Sequence, residues 1–465
     1  MPERMHFSMR LGREAGRDHS QKPINGFVVV MLGAFGEGPS SGSLHNIEVE
    51  TIDKLIAKLQ PSLTLALDSD SSQPITLRFS SVDDFHPDGL LDQLSDYRPN
   101  EIGGQASATS DTQEKSSTDK RPEEAESQQG TLSRLLGQRP LTTEQRQQTG
   151  SSLSDAKQSM ITDMVRRLAE NASTQELSEA STEMLKAQDK TQLLRNLLHH
   201  KRFQKLESDW RAVDWLMHSI EPDPAIRCYL LNITRSELGR ERSNNQNPRS
   251  SSLYLLLRDA LEKQGLLESN FILIDNHAYG PDREDITMLD WLGALVGCFD
   301  GTLAAEANSS FLREGMESAN KLKDWHDYRK SDSAKRVVLL YPKILLRLPY
   351  GMTTDPILSQ SFEELDEQWS AKELLWGNPA YTQVILTINL WVMQDNIDQI
   401  PILTDLPAYT YERDGEAYLQ SCTQVILREK QIEQLLNLGI IPVIGSRNKN
   451  TIQLPWFQHL GISNV

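Results

Sequence analysis

Cysteine is scarce in this chain of 465 residues, with only Cys228, Cys298 and Cys422, none of them close to another in sequence. An odd, scattered set lacks the spacing of a disulfide framework or a zinc site. Such a chain suits a reducing compartment, so we expect a cytoplasmic location. No apolar run approaches the roughly 20 residues that cross a bilayer, and the first twenty residues lack the apolar core of a secretory signal. We therefore predict no membrane insertion.

Positive charge is outnumbered, since Lys and Arg total 48 against 65 Asp and Glu, for a formal net charge of -17. A nucleic-acid interface needs a clustered basic patch, so we expect no nucleic-acid partner. Hydrophobic residues make up only 38% of the chain, which fits globular parts diluted by a polar, unfolded stretch.

Bulky apolar residues nearly vanish between residues 99 and 150, where Ser, Thr, Gln, Glu and Gly dominate. Such a segment cannot bury enough surface to offset its ordering entropy, which predicts a disordered linker. Residues 151–205 are predicted to be helical, with one apolar stripe from Met160 to Leu168 and another from Leu193 to Leu198. The cationic run His199–Arg202 is predicted to end the second helix. The linker and this helical segment separate two predicted domains, residues 1–98 and 206–465.

Strand and helix patterns alternate on both sides of the linker, which predicts an α/β (α+β) fold class. In the first domain, Phe27–Leu32 reads as a buried strand, and Leu63–Leu67 with Ile75–Phe79 read as a hairpin. The second domain has strand patterns at Ile226–Ile233, Phe271–Asp275 and Val337–Leu340, and helical patterns at Leu253–Lys263, Asp285–Phe299 and Glu373–Gln394.

Patterns that carry known chemistry are missing from the sequence. The turn Gly33–Gly38 follows a strand as a phosphate-binding loop would, but its spacing is not that of such a loop and no Gly-Lys-Ser/Thr follows. Asp83, Asp84 and Asp88 could bind a cation or transfer protons, yet Phe85 and Pro87 interrupt them, so a turn that caps the following helix is favoured. We predict no catalytic, cofactor-binding or metal-binding residue, and an enzyme using this turn or these aspartates is the least favoured function.

Two further polar groups read as surface features. His199 and His200 are adjacent on a helical pattern and point apart, which favours a solvated helix end over a metal site. Glu363, Glu364, Asp366 and Glu367 form an acidic run that is predicted to be a solvated face, with contact to a partner as the alternative.

The stretch ITLRFSSVDDFHPDGLLDQL, residues 75–94, resembles the small sheath subunit (TssB, also called VipA) of type VI secretion systems. In that family a strand leads into a D-D-F-x-P-D turn and a short helix. The matching residues are Leu77, Phe79, Asp83, Asp84, Phe85, Pro87 and Asp88.

A second stretch, FQKLESDWRAVDW at residues 203–215, is similar to the large sheath subunit (TssC, also called VipB). Further similar stretches follow in the same order as in that family: YLLNITRSEL, ILIDNHAYG, ILLRLPYG and LLWGNPAY. The matching residues are Phe203, Leu206, Glu207, Trp210, Arg211, Arg347, Pro349, Tyr350, Gly351, Trp376, Gly377 and Asn378. We expect these residues to hold the subunit's shape, with the two arginines in bidentate pairs with buried carboxylates, near Glu207 or at Asp275.

The resemblance implies a non-catalytic structural component of a contractile sheath in the bacterial cytoplasm, with a small and a large subunit fused into one protomer. A linker of this length would span roughly 40 Å and make the association intramolecular. The implied partners are other copies or sheath subunits, and inner-tube and baseplate proteins as further candidates.

A non-polymerising accessory that binds the sheath or baseplate is the alternative function. The small subunit's last helix and strand have no clear counterpart after Arg98, and the large-subunit-like domain reads as truncated at its C-terminal end. In the family, terminal strands of this kind interlock neighbouring protomers by strand addition.

Overall fold

The computed structural model describes residues 26–36, 42–66, 74–94, 190–312, 319–393, 402–413, 415–446, 448–455 and 458–461. One compact unit comprises residues 1–99 and 191–465, and residues 100–190 form a second unit of which only residue 190 is described. The predicted linker and the apolar stripe from Met160 to Leu168 lie outside the described residues.

A seven-stranded mixed sheet forms the centre of the first unit. Its strands are β1 (Phe27–Gly33), β2 (His45–Ile47), β5 (Ile226–Asn232), β6 (Asn270–Tyr279), β7 (Thr302–Ala307), β8 (Val337–Tyr341) and β14 (Ile441–Pro442). They lie in the order β14-β8-β7-β6-β1-β5-β2. All neighbouring strands are parallel except β2, which runs antiparallel to β5 at one edge.

Strand β1 lies in the interior of this sheet, between two strands from much later in the chain, β5, which begins at Ile226, and β6, which begins at Asn270. Phe27 pairs with Ile226 of β5 on one side and with Asn270 of β6 on the other. Every residue of β1 is buried, and its side chains alternate between the two faces. A continuous apolar run is the expected sequence of a strand covered on both faces, because neither side of it meets water.

Helices cover both faces of the sheet. The helices are α1 (Ile52–Leu59), α2 (Pro87–Leu94), α3 (Lys201–Ser219), α4 (Arg235–Asn244), α5 (Ser252–Lys263), α6 (Arg283–Gly297), α7 (Ala319–Tyr328), α8 (Ala380–Met393) and α9 (Glu429–Asn437). Side chains of α1, α3 and α8 pack with one face of β1, and side chains of α5, α6 and α9 pack on the other. None of the described helices is long and apolar enough to cross a membrane.

Small sheets surround the main one. The hairpin of β3 (Ser62–Leu65) and β4 (Ile75–Arg78) pairs Leu63 with Leu77. The remaining strands are β9 (Ile344–Leu345), β10 (Trp376–Gly377), β11 (Ile402–Leu403), β12 (Thr410–Arg413), β13 (Glu416–Leu419), β15 (Ile444–Gly445) and β16 (Ile452–Gln453).

The α/β class, the strand at Phe27–Leu32 and the hairpin are confirmed. The division into separate α/β domains at residues 1–98 and 206–465 is wrong for the described residues, because β1 and β2 complete the sheet built by the later segment. The boundary between residues 205 and 206 also falls inside α3.

Two predicted helix boundaries are corrected as well. The helix predicted at Glu373–Gln394 begins only at Ala380, because Trp376 and Gly377 form a strand first. A helix that includes residues 190–198 does end directly before the cationic run His199–Arg202, but the run also includes the first residues of α3. It spans a break, where His200 caps α3 and its imidazole Nδ1 accepts a hydrogen bond from the Arg202 amide (3.2 Å).

Candidate functional site

The segment that resembles the small sheath subunit contacts the segment that resembles the large one in a cluster of three phenylalanine rings. The rings of Phe79 and Phe85 stack with their centroids 4.2 Å apart, and the ring of Phe203 lies 6.2 Å and 6.0 Å from them. All three side chains are buried. Since Phe203 stands in the first turn of α3, this cluster fixes the start of α3 against the hairpin and its following turn.

The aspartates of the turn bind backbone amides and hydroxyl groups of the protein itself. The Asp84 carboxylate accepts hydrogen bonds from the amides and hydroxyls of Ser80 and Ser81, at 2.5–3.1 Å. Partial burial acts to raise the pKa of Asp84, but these hydrogen bonds outweigh it, so the pKa is below its ordinary value. The turn caps the following helix as expected, but through His86 and not through an aspartate: His86 Nδ1 accepts from the Asp88 amide (3.3 Å).

Asp88 reaches across to the later segment of the chain. Its carboxylate accepts hydrogen bonds from the amides of Leu358 and Ser359, both at 3.1 Å, and from the Ser359 hydroxyl at 2.7 Å. His86 joins the same contact, since its ring packs edge-on against Tyr350 with centroids 4.9 Å apart. The turn that resembles the small subunit therefore docks on the loop that follows the LPYG stretch.

Beneath this contact lies a buried network of two glutamates and two arginines. Arg347 binds Glu207 with two hydrogen bonds (Nε to Oε1, 2.7 Å; Nη2 to Oε2, 3.3 Å) and Glu364 with two more (2.7 Å and 3.2 Å). Arg211 donates from Nε to Glu207 Oε1 (2.8 Å) and from Nη2 to the Tyr350 hydroxyl (2.9 Å). The four charges cancel, and planar guanidinium forks match carboxylates in this bidentate geometry.

The network favours the ionised forms of Glu207 and Arg347 despite their burial. Burial acts to raise the pKa of Glu207, but Arg347 and Arg211 outweigh it and hold the pKa below its ordinary value. Burial acts to lower the pKa of Arg347, and the two glutamates reverse this and raise it well above its ordinary value. Glu364 also accepts from the Tyr350 amide (2.8 Å), so the network ties α3 to the loop after β9.

Only part of this network was predicted from the sequence. The bidentate pair of Arg347 with Glu207 is confirmed. Arg211 was also expected to form a bidentate pair, but it gives Glu207 one hydrogen bond and donates a second to the Tyr350 hydroxyl. Asp275, the alternative carboxylate, binds the Tyr279 hydroxyl and His277 instead. Glu364, which was predicted to lie on a solvated face, is buried with 1% of its side chain exposed. Glu363 lies between the same two apolar residues, Phe362 and Leu365, and is exposed, so the sequence offered no signal that singles out Glu364. His199 is likewise not solvated, since its Nε2 lies 3.8 Å from Glu364 Oε1 with 23% of the side chain exposed.

The other residues that match the two sheath subunits make packing contacts and hydrogen bonds within the protein. Trp210 donates from Nε1 to the Phe35 carbonyl (3.0 Å), and Asn378 donates from Nδ2 to the Asp275 carbonyl (2.9 Å). A Cβ on Gly377 would lie 2.4 Å from a Leu346 methyl. Leu77, Pro87, Leu206, Tyr350 and Trp376 are buried, Asp83 lies in the turn before α2, and the backbone of Pro349 and Gly351 accepts from Thr354.

One amide of the Gly-rich turn is engaged by the protein itself, and the turn is closely packed at Gly33. The Phe35 amide donates to Asn232 Oδ1 (2.9 Å), and a Cβ on Gly33 would lie 3.1 Å from the Asn276 side chain. Both observations favour the structural turn over a phosphate cradle; Gly38 lies outside the described residues.

A second polar cluster, missed in the sequence, lies at the carboxyl end of the parallel strands. Lys205 donates to both carboxylate oxygens of Asp209, and Lys343 Nζ lies 3.5 Å from Glu306 Oε1. Burial raises the pKa of both Asp209 and Glu306 against the pull of their lysines. Among the described residues no group of three or more His, Cys, Asp or Glu could hold a metal ion.

Comparison with known proteins places the later segment in a family. Residues 184–455 match the family model VipB, described as EvpB/VC_A0108, tail sheath N-terminal domain. The type VI secretion system sheath protein TssC1 of Pseudomonas aeruginosa is 24% identical over an alignment of 283 residues, and the match covers 54% of this chain and 55% of that protein. The chain thus spans about half the length of this curated relative. Because the family model matches more than half of its residues, this chain belongs to the VipB family of tail sheath proteins.

Proposed function

We propose that the chain is a structural, non-catalytic sheath protomer in which a small-subunit-like segment and a large-subunit-like segment are fused. The position of β1 carries the proposal. The family match begins at residue 184 and so includes β5 and β6, but the strand between them comes from residues 27–33. The segment that supplies this strand is also the one whose turn resembles the small subunit.

Removing β1 would leave β5 and β6 without a shared neighbour. Each would then expose a row of unpaired amides and carbonyls along a buried edge, which is costly in a protein interior. It would also uncover the apolar side chains of β1's neighbours on both faces. Burial contributes roughly 1.5–3 kcal/mol for each large apolar side chain, so the six buried apolar side chains of Phe27–Leu32 strongly favour association of the two segments.

The three-ring cluster and Asp88 extend the same association. Residues 75–94 touch α3 through Phe203 and the loop at residues 357–359 through Asp88. Both contacted stretches belong to the part of the chain that matches the family model. The two segments are therefore expected to behave as partners, whether or not the intervening residues connect them. As a sheath protomer the protein would work in the bacterial cytoplasm, with other copies as its first partners.

A split chain tests this proposal. Residues 1–98 with an affinity tag and residues 184–465 without one are coexpressed, and the untagged piece should be recovered with the tagged one. The Val30→Asp substitution places a charge in the centre of β1 and should abolish recovery, whereas Lys58→Asp on the exposed side of α1 should not. Equal recovery with both variants would contradict the proposed role of β1.

Negative-stain electron microscopy of the intact chain distinguishes the two sheath-related functions. Hollow tubes or stacked rings at increasing concentration are expected for a protomer. A monodisperse particle at every concentration, alone and with a coexpressed inner-tube protein, would instead favour the accessory function.

A further inference from the structure

Strands from the two segments of the chain alternate at one side of the central sheet. The strand order there is β6-β1-β5-β2, in which β6 and β5 belong to the later segment, from residue 190 onward, and β1 and β2 to the earlier segment, up to residue 94. Strand β1 thus lies between two strands of the later segment, and β5 lies between two strands of the earlier one. These four strands are called the interlocked strands. Neither segment can leave them without breaking the pairing on both sides of a strand.

Strand β1 presents no free edge to a competing strand. All of its residues pair with β5, and all but Gly33 also pair with β6. On the far side of β5, the strand β2 pairs along the stretch in which Ile47 faces Cys228. A strand from another molecule needs an edge with unpaired amides and carbonyls in order to add to a sheet. Such a strand could replace β1 only after β1 had already left the sheet.

Further hydrogen bonds hold both ends of β1. Directly before the strand, the Gly26 carbonyl accepts from the Asn270 amide (2.8 Å). At its end, the Gly33 carbonyl accepts from the Ile233 amide (2.8 Å). Both donors belong to the later segment, so the pairing between the segments continues to each end of β1. Fraying from either end would break these bonds first, which makes local opening of this strand costly.

The contact made by the turn before α2 is less protected. The Asp88 side chain is 28% exposed, and its hydrogen bonds to Leu358 and Ser359 lie at the surface. Groups of this kind open locally at a low free-energy cost, whereas a fully paired central strand opens only with the sheet around it. The earlier segment is therefore held in two ways, weakly at its turn and firmly at β1.

We propose that the chain is closed to a separate small sheath subunit, because its own earlier segment fills the place between β5 and β6 and leaves it only when the sheet unfolds. This inference rests on the proposed fusion of the two segments. Residues 95–189 connect the segments, so after any opening the chain's own β1 returns by an intramolecular step, whereas a separate subunit has to arrive by diffusion. The protein would then form complete protomers without using free small subunits.

Capture by a tagged piece tests this closure on the intact chain. The intact chain is coexpressed with a separate, affinity-tagged copy of residues 1–98, and its recovery should be lower than that of the untagged 184–465 piece by about tenfold or more. An intact chain with Val30→Asp, which carries a charge at a fully buried position of its own β1, should be recovered nearly as well as that piece. The matched control Lys58→Asp, on the exposed side of α1, should be recovered as poorly as the wild type.

The outcomes separate this inference from the proposed function. Recovery of the wild-type intact chain equal to that of the 184–465 piece would overturn the closure and leave the fusion standing. If the tagged piece fails to recover even the 184–465 piece, the proposed association of the two segments is wrong, and the closure is wrong with it.

Hydrogen exchange of the intact wild-type chain, followed by mass spectrometry, is a second measurement that needs no variant and no isolated piece. The amides of β1 should exchange together with those of β5 and β6, and later than those of residues 80–88, because only the turn opens locally. Exchange of β1 ahead of β5 and β6 would show that the strand leaves the sheet by itself and would overturn the closure.

Discussion

Replacing Glu207 with glutamine preserves the shape of the buried network and removes one of its charges. Glu207 is fully buried and accepts hydrogen bonds from both Arg347 and Arg211. With the carboxylate gone, two guanidinium groups share the single carboxylate of Glu364, and the network carries one uncompensated positive charge. Breaking a buried pair on one side typically costs about 3–5 kcal/mol.

The structure favours the lower end of that range. Arg347 keeps its two hydrogen bonds to Glu364, and Arg211 is 22% exposed and can turn partly towards water. We therefore expect Glu207→Gln to lower the free energy of unfolding by about 3 kcal/mol. For a folded unit of this size, with an unfolding entropy of about 2.1 cal/mol/K per residue, that corresponds to a fall in Tm of roughly 4–5 °C in a thermal unfolding measurement.

Two control variants make the measurement decisive. Glu221→Gln changes an exposed glutamate and should alter the free energy of unfolding by less than about 0.5 kcal/mol. The double variant Glu207→Gln with Arg211→Gln restores charge balance and should recover part of the loss. A Glu207→Gln protein within about 1 kcal/mol of the wild type would refute the reasoning, since that is the cost expected of an exposed ion pair.

The pH dependence of this effect has a defined sign. The pKa of Glu207 is lowered, so its contribution to stability is present above the ordinary glutamate value of about 4.3 and is lost as the pH falls through the lowered pKa. The stability difference between the wild type and Glu207→Gln should therefore stay constant from about pH 7 down to about pH 5.

Three further outcomes are expected. Gly377→Ala should destabilise the protein by about 1–3 kcal/mol in urea unfolding, because the new methyl group meets Leu346. Gly239→Ala, at a mid-helix position of α4 with no neighbouring atom in the way, should stabilise the protein by about 0.5–1 kcal/mol. Equal effects of the two substitutions would contradict the packing argument. Burial raises the pKa of Glu306, so ionisation of this side chain lowers the stability of the protein as the pH rises through that pKa. Glu306→Gln should therefore be at least as stable as the wild type near pH 7, with an advantage that shrinks towards about pH 4.3. A stability difference that stays constant over this pH range would exclude the titration of Glu306. A thiol reagent should label Cys298 well before Cys228 and Cys422, because burial raises the pKa of these two thiols to about 12 and about 11 respectively. Simultaneous labelling of all three cysteines in the folded protein would contradict the burial of Cys228 and Cys422.

The elements of the fold were predictable where their signal is local. The β-branched run of β1 and the alternation in the β3–β4 hairpin depend on neighbouring residues, and the sequence contains both. The place of β1 between β5 and β6 depends on pairing with two strands from much later in the chain, which no local pattern encodes. Separate domains were predicted because a polar stretch divides the chain, although the two sides complete one sheet.

The charge network, too, was predictable only where a contact is local in sequence. Glu207 and Arg211 are four residues apart on one helix, and their pairing follows from helical spacing. Arg347 and Glu364 belong to an irregular loop, and whether a carboxylate there is solvated or buried depends on what packs above it. Glu364 is buried by its contacts with Arg347, Tyr350 and His199, which no local pattern encodes, so it could not be distinguished from its exposed neighbour Glu363 by composition alone.

The central position of β1 has a consequence for synthesis. Ribosomes add about 5–20 residues per second, so the strand waits roughly 10–40 seconds for its first neighbour, which begins at Ile226. During that time FVVVML is an apolar segment without its sheet, and such segments aggregate when exposed. Pairings between distant residues also slow folding, because the chain must close a long loop before it gains any contact. The order of residues along this chain therefore makes a shielding chaperone most valuable early in translation, before the two flanking strands exist.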